Sequence, residues 1–247
     1  MPSILITGAS SGLGAEMARQ YAALGYDLAL CARRTDRLDA LASEIAAAHP
    51  SVRVSVKALD VNDHDAVFRV FDEFAAELGG LDKVVVNAGL GKGQPLGTGR
   101  FDANKQTAET NVIGALAQTE AAAAIFRAQD RGQLVMVSSF SALRGMPRNI
   151  TTYAATKAAV AHLAEGFRAD VHGTPIKVTV LYPGYIVSEM SGSSAKTPLV
   201  SSTERGVRSM VEAIEKEKKS AVVPAWPWVP LGLVVRRVPV GLLRRLT

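Results

Sequence analysis

The sequence predicts a single-domain α/β fold, a doubly wound parallel sheet of about seven strands with helices on both faces. Three observations carry that prediction. Short runs rich in Val, Ile and Leu alternate with longer Ala-rich stretches of helical period. The runs themselves, such as Lys83-Val84-Val85-Val86 and Gln133-Leu134-Val135-Met136-Val137, are almost continuously apolar, as strands buried on both faces must be. A glycine-rich turn joins the first run to the first helical stretch, the place where an open α/β sheet binds its ligand.

In chain order, residues 3–7, 27–32, 52–58, 82–87, 133–139, 176–182 and 221–223 read as strands. The Gly-rich stretch 89–99 and the Ser-rich stretch 191–202 read as loops. The chain enters its first strand at Ser3 with no basic or long apolar leader, which predicts no secretory signal and a cytoplasmic location. The single Cys31 excludes an internal disulfide framework and a Cys-based zinc site. His49, His64, His162 and His172 lack ligand spacing, so no metal site is predicted. Met146, Met190 and Met210 read as packing residues.

Twenty-eight Lys and Arg against 23 Asp and Glu give a net charge of +5. Four of those charges are Arg236, Arg237, Arg244 and Arg245, in a C-terminal segment without an acid. The body is therefore close to neutral, and with aromatics at only 6% it offers no basic, aromatic-interleaved face for nucleic acid.

The first strand runs into Thr7-Gly8-Ala9-Ser10-Ser11-Gly12-Leu13-Gly14, and a helix follows. Glycines there permit a tight turn and close approach of a pyrophosphate, while the helix N-terminus offers N–H groups to the anion. Gly8-Ala9-Ser10-Ser11-Gly12 also matches the G-x-S-x-G elbow of hydrolases. Only seven residues precede Gly8, so the upstream strands and oxyanion loop of a hydrolase have no room. The second strand ends in Ala32-Arg33-Arg34, about twenty residues past the glycines, where an acid would bind the ribose 2′-hydroxyl of NAD. An arginine there suits a 2′-phosphate, so NADP(H) is predicted over NAD(H).

Four polar elements follow: Asn87-Ala88-Gly89, Asn111 in a helical stretch, Ser138-Ser139 at a strand end, and Tyr153-Ala154-Ala155-Thr156-Lys157. Tyr153 and Lys157 share a helix face. A tyrosine with a pKa of about 10 is a poor base at neutral pH, and a nearby ammonium favours its phenolate.

Together these motifs resemble the short-chain dehydrogenase/reductase family over residues 1–223 and its Rossmann-type fold. The resemblance implies a catalytic tetrad of Asn111, Ser139, Tyr153 and Lys157, with Ser141 an alternative to Ser139. It implies that Gly8, Ser10, Ser11, Gly12, Leu13 and Gly14 carry the cofactor phosphates, and that Arg33 and Arg34 meet the 2′-phosphate. Asp60 and Val61 would bind the adenine, and Asn87, Ala88 and Gly89 would line the cofactor floor. Tyr153 and Lys157 would hold the nicotinamide ribose, and Pro183, Gly184, Ile186 and Ser188 the carboxamide. Helices around 102–129 and 151–173 would form a homodimer or homotetramer interface. The implied activity is NADP(H)-dependent hydride transfer between nicotinamide and a carbonyl or secondary alcohol, with a hydrophobic substrate suggested by the apolar tail. In the implied mechanism Lys157 depresses the Tyr153 pKa and Asn111 orders a proton-relaying water. A cofactor-binding sensor or scaffold without turnover is the alternative, and the intact tetrad argues against it.

Two departures stand out. Ser139 and Tyr153 are one residue further apart than is usual in the family, which places an extra residue in the loop 147–152. Ser11 stands where many NADP-preferring relatives have a basic residue.

Two regions remain. The run Glu215-Lys216-Glu217-Lys218-Lys219 reads as a solvated helix end. The tail, 224–247, follows a dinucleotide-binding and catalytic domain over 1–223. The uncharged run from Ala221 to Val235 is only fifteen residues long and is interrupted by Pro224, Pro227 and Pro230, too short to span a bilayer. Two placements are open: an amphipathic helix from Pro230 resting on a membrane with Trp226 and Trp228 nearby, or packing on a neighbouring subunit or over the pocket mouth.

Overall fold

In the computed structural model, which describes residues 1–187, 189 and 199–246, seven parallel strands form one sheet. They are β1 (Ser3–Thr7), β2 (Asp27–Ala32), β3 (Val54–Ala58), β4 (Lys83–Val86), β5 (Gly132–Val137), β6 (Ile176–Pro183) and β7 (Ser220–Val223). Their spatial order is β3-β2-β1-β4-β5-β6-β7. The helices are α1 (Gly12–Ala23), α2 (Thr35–Ala48), α3 (His64–Leu78), α4 (Phe101–Ala108), α5 (Gly114–Gln129), α6 (Thr151–Asp170), α7 (Thr203–Glu215), α8 (Ala225–Val235) and α9 (Val240–Leu246). The order reverses between β1 and β4, so the crevice for a ligand opens at the carboxyl ends of those two strands.

Alternation along each strand divides the core in two. Leu5 of β1 faces the side of α3 and α5, among Phe71, Phe74 and Phe126, whereas Ile4 and Ile6 face the side of α1 and α7, with Met17, Tyr21 and Val207. Local chemistry sets the helix ends. Asp63 caps α3 by accepting from the Ala66 N–H at 3.1 Å, and Gly79 closes it in the left-handed region at φ 76°. Ser202 caps α7 in the same manner through the Arg205 N–H.

The structure departs from the sequence reading in places. β5 stops at Val137, short of the expected 139; the Ser138 N–H still donates to the Leu181 carbonyl of β6 at 2.9 Å, while its hydroxyl donates to the Lys157 carbonyl of α6 at 2.7 Å. Ser139 then opens a 3₁₀ turn, Phe140–Leu143. The 147–152 loop contains a second 3₁₀ turn, Arg148–Ile150, with Arg148 in the left-handed region at φ 59°. α4 passes into α5 through a π-turn, Glu109–Ile113. Glu215 is not simply solvated: its carboxylate accepts from the Tyr21 and Tyr26 hydroxyls and lies 3.5 Å from Lys83 Nζ. The predicted 191–202 loop falls largely outside the described residues, as do Ser188 and Met190.

The tail forms α8 and α9 against the sheet's carboxyl end. The regular part of α8 starts after Trp226, whose backbone is non-helical, and Pro227 opens it where a missing N–H costs least. Trp228 is therefore buried, while Trp226 is 75% exposed. Leu243 of α9 packs on Met146 and Ala154.

Truncation of Phe71, fully enclosed at the centre of its core, is expected to lower unfolding free energy by about 3–5 kcal/mol in Phe71→Ala. Urea denaturation would read this as a lower midpoint at unchanged slope.

Candidate active site

The glycine loop is held to the neighbouring strand by side-chain bonds. The Thr7 hydroxyl accepts from the backbone N–H groups of Asn87 (3.1 Å) and Ala88 (3.0 Å), and the Asn87 amide donates to the Thr7 carbonyl at 2.9 Å. Two glycines have no room for a side chain. A Cβ on Gly14 would lie 2.5 Å from the Gly8 carbonyl oxygen and 2.8 Å from Asn87 Nδ2. Gly8 itself takes φ +65° and passes 3.0 Å, at its would-be Cβ, from Ala88 Cα. No side-chain cap covers the start of α1, so its opening end is available to an anion.

An anion site stands beside this loop. Arg34 donates to the Ser10 hydroxyl (3.1 Å) and the Ser11 hydroxyl (2.6 Å), and its other branch reaches a Glu189 oxygen at 3.0 Å. Arg37 closes on the second oxygen of the same carboxylate. The hydrogen bonds from Arg37, Arg34 and Ser11 hold the Glu189 carboxyl down at about 2. Arg33 points elsewhere, 3.8 Å from Asp60, and that aspartate also accepts from the Asn62 N–H. Val61 lies buried against Gly114. Neither Arg37 nor Glu189 was singled out by the sequence, because only the fold brings α2 and the segment after β6 together.

One strand further on, the polar residues converge at the ends of β4 and β5. A methyl on Gly89 would sit 3.2 Å from Lys157 Nζ and 3.3 Å from Asn111 Oδ1. The π-turn presents Asn111 inward, and its side chain is fully engaged: Oδ1 accepts from Leu90 N–H (2.7 Å), while Nδ2 donates to Leu90 O (2.8 Å) and Thr156 Oγ1 (3.0 Å). Asn111 thus ties the 89–99 loop to α6. Lys157 is buried on α6 and donates to the Val137 carbonyl at 2.8 Å. Burial alone pulls its ammonium down to about 8.

Tyr153, one turn earlier, hydrogen-bonds Ser139. Ser141 is bonded to Ser139 at 2.9 Å and stands behind it. The expected depression of the Tyr153 pKa by Lys157 does not emerge. Burial raises the phenol, the Ser139 bond offsets only part of that rise, and Nζ lies 5.9 Å from the ring centre.

The clamp residues Pro183 and Gly184 follow, with the Gly184 N–H donating to Val223 O at 2.9 Å and Ile186 buried, bridged to Ser201. Trp228, which the sequence leaves between a membrane interface and packing on a neighbouring subunit or over the pocket mouth, is a wedge here. Its ring lies 4.8 Å from Phe140 and 5.1 Å from Tyr185, and a Cβ on Gly184 would overlap it at 2.2 Å. It joins the turn after Ser139 to the turn after β6. Among the described residues no group of three His, Cys, Asp or Glu is arranged to hold a metal.

Comparison with known proteins agrees with this geometry. The profile of the short chain dehydrogenases matches residues 2–199. Over 242 residues the chain is 52% identical to an uncharacterized oxidoreductase of Mycobacterium tuberculosis, covering 98% of this chain and 96% of that protein. An alcohol dehydrogenase from the archaeon Thermococcus sibiricus, solved with 5-hydroxy-NADP, superposes at TM-score 0.81 with 26% identity over 90% of this chain and 95% of its own. A short chain dehydrogenase/reductase from Burkholderia phymatum, solved with NAD, superposes at TM-score 0.84 over 96% and 92% of the two chains; at 21% identity it shows the fold alone.

Two outcomes follow from the packing. Gly14→Ala forces the loop apart and is expected to cost about 1–3 kcal/mol, as overpacked sites do, visible as a lower Tm. Lys157 has a folded pKa near 8 against about 10.4 unfolded, so its burial opposes folding fully below pH 8 and the penalty fades as pH rises to 10.4. The unfolding free energy of the wild type relative to Lys157→Met should therefore rise by roughly 3 kcal/mol between pH 7 and 11. A difference that stays flat with pH would contradict a buried, depressed lysine.

Proposed function

The chain belongs to the short-chain dehydrogenase/reductase family of oxidoreductases, and on that premise we propose that it is an NADP(H)-dependent enzyme interconverting a carbonyl and a secondary alcohol. The observation that carries this reading is the placement of Lys157, with Asn111 against Gly89 on one side of its Nζ and the Tyr153 ring, bonded to Ser139, 5.9 Å away, one strand from the glycine loop.

Two features fit a bound dinucleotide: the bare cradle of Gly8 and Gly14, and an arginine pair already closed on a carboxylate. Gly8, Ser10, Ser11, Gly12, Leu13 and Gly14 would hold the phosphates, and Asn87, Ala88 and Gly89 would line the floor. Asp60 and Val61 would take the adenine, and Pro183, Gly184 and Ile186, with Ser188 outside the described residues, the carboxamide. The preference for NADP(H) is supported by Arg34 with Ser10 and Ser11, a fork that suits a 2′-phosphate. Arg37 completes it, while Arg33 is turned to Asp60. The Thermococcus relative, solved with an NADP derivative, supports the same choice.

The nicotinamide, when bound, supplies or accepts the hydride. The chain's residues manage the proton and the oxygen. Tyr153, whose raised pKa keeps it protonated at neutral pH, gives its proton to the oxygen of the reduced carbonyl. Ser139 donates a hydrogen bond to the same oxygen, where charge develops. In the opposite direction the phenolate must form. There the Ser139 hydrogen bond favours the phenolate against burial, and Lys157, buried with its Nζ 5.9 Å from the ring centre, stands behind it. Asn111 positions the 89–99 loop and the start of α6, and with them the path by which a proton reaches Lys157.

The reading extends to assembly and location: a cytoplasmic homodimer or homotetramer, held at the periphery of a membrane by the tail that follows residue 223. The oligomer is supported by Phe101, Ile113 and Leu116, large apolar residues exposed on α4, the π-turn and α5.

Tyr153→Phe is expected to abolish NADPH-dependent reduction across a panel of ketones and aldehydes while retaining NADPH binding by fluorescence; undiminished turnover would remove the mechanism. Arg34→Ala is expected to weaken NADPH binding at least tenfold and leave NADH nearly unchanged. Glu189→Gln removes a competing carboxylate and should tighten NADPH.

A further inference from the structure

We infer that the outer face of α8 and α9 is a docking surface for an anionic phospholipid membrane, and that it holds the mouth of the active site against the lipid. From Ala221 to Leu246 the chain contains only Ala, Val, Leu, Pro, Trp, Gly and Arg. No segment of comparable length elsewhere in the chain lacks both acids and uncharged polar residues. The inner face of this segment is spent on the protein, through Trp228 and Gly232 against Phe140 and Leu143, and Leu243 against Met146. Arg144 also serves the fold, donating to the Val235 carbonyl at the end of α8 at 2.9 Å and to that of Val238 in the link to α9.

The outer face remains apolar. Trp226, Val229, Leu233, Val234, Val240 and Leu242 are all exposed, Trp226 and Val240 by about three-quarters. Arg236, Arg237 and Arg244 are exposed beside them, and no described acid pairs with them. A tryptophan, aliphatic side chains and arginines without acids form the composition that lies in a membrane interface, apolar groups at the acyl boundary and guanidinium groups among the phosphates. α8 has 11 residues, and no helix among the described residues is long and apolar enough to cross a bilayer, so the contact is a surface one.

Charge decides between occupants. A second copy docking through the same face would set arginines against arginines with no carboxylate on either side, whereas anionic headgroups complement them. Tyr185, which is exposed, meets Trp228 of α8 edge-on and is next to the clamp residue Gly184, so it joins the tail to the turn after β6. Resting on the proposed redox activity, this arrangement assigns the substrate class as a ketone or aldehyde dissolved in the bilayer, entering where the lipid meets Tyr185.

Co-sedimentation of the full chain with phosphatidylcholine vesicles, with and without phosphatidylglycerol, tests the surface. The wild type should pellet with the anionic vesicles. Each of Arg236→Gln, Arg237→Gln and Arg244→Gln should weaken that binding about fivefold. Trp226→Ser with Leu233→Ser should remove it, and NADPH-dependent reduction of a small water-soluble ketone should stay unchanged in all of them. A wild type that stays in the supernatant, or binding indifferent to these substitutions, overturns the docking surface even if reduction is intact. Vesicle binding without any carbonyl reduction would overturn the redox reading and its lipid-borne substrate, leaving the surface standing.

Discussion

The structure depends on one small clamp, the Thr7 hydroxyl accepting from two backbone N–H groups at the end of β4 while Asn87 reaches back to the Thr7 carbonyl. The strand order reverses between β1 and β4, so without such bonds the crevice would splay at its base. With them, Gly8 and Gly14 are pressed so close to the neighbouring loop that neither tolerates a Cβ. The bareness of the cradle follows from the clamp. A phosphate could approach the backbone only because no side chain can stand there.

Around that crevice the chain assembles two electrostatic environments of opposite kind. At the Arg34 and Arg37 end the groups are exposed, and a carboxylate is held far below its ordinary range by two guanidinium groups and a hydroxyl. At the Lys157 end burial dominates, lowering the ammonium and raising the phenol. The first environment suits holding a charge still. The second favours the uncharged forms, since a buried ammonium and a buried phenol each resist ionisation. Trp228 couples the reactive end to the tail, because its ring touches both the turn after Ser139 and the turn after β6.

Some of this is legible in the residues before any fold is known. The apolar runs locate all seven strands to within a few residues. Just past the end of β5 the Ser138 hydroxyl bonds α6, a partner 19 residues away that no window of sequence displays. The spacing of Tyr153 and Lys157 already places them on one helix face, and the glycine loop announces its turn. Glu215 reads as part of a charged surface run, yet the fold sets two tyrosine hydroxyls and a lysine beside it. Glu189 meets Arg34 and Arg37 across more than 150 residues, and Trp228 closes on Gly184 from a tail that sequence leaves between two placements.

The sequence by itself therefore determined the fold class, the family resemblance and the identities of the reactive groups, because periodicity, glycine spacing and side-chain chemistry are local properties. Tertiary structure alone decided which arginine turns to Glu189 and which to Asp60, and that Asn111 is spent on Leu90 and Thr156. It also decided that burial outweighs Lys157 in setting the Tyr153 phenol, and that one tryptophan of the tail is a wedge while the other faces outward. These are matters of distance and desolvation between groups far apart in the chain, and such quantities exist only once the chain has packed.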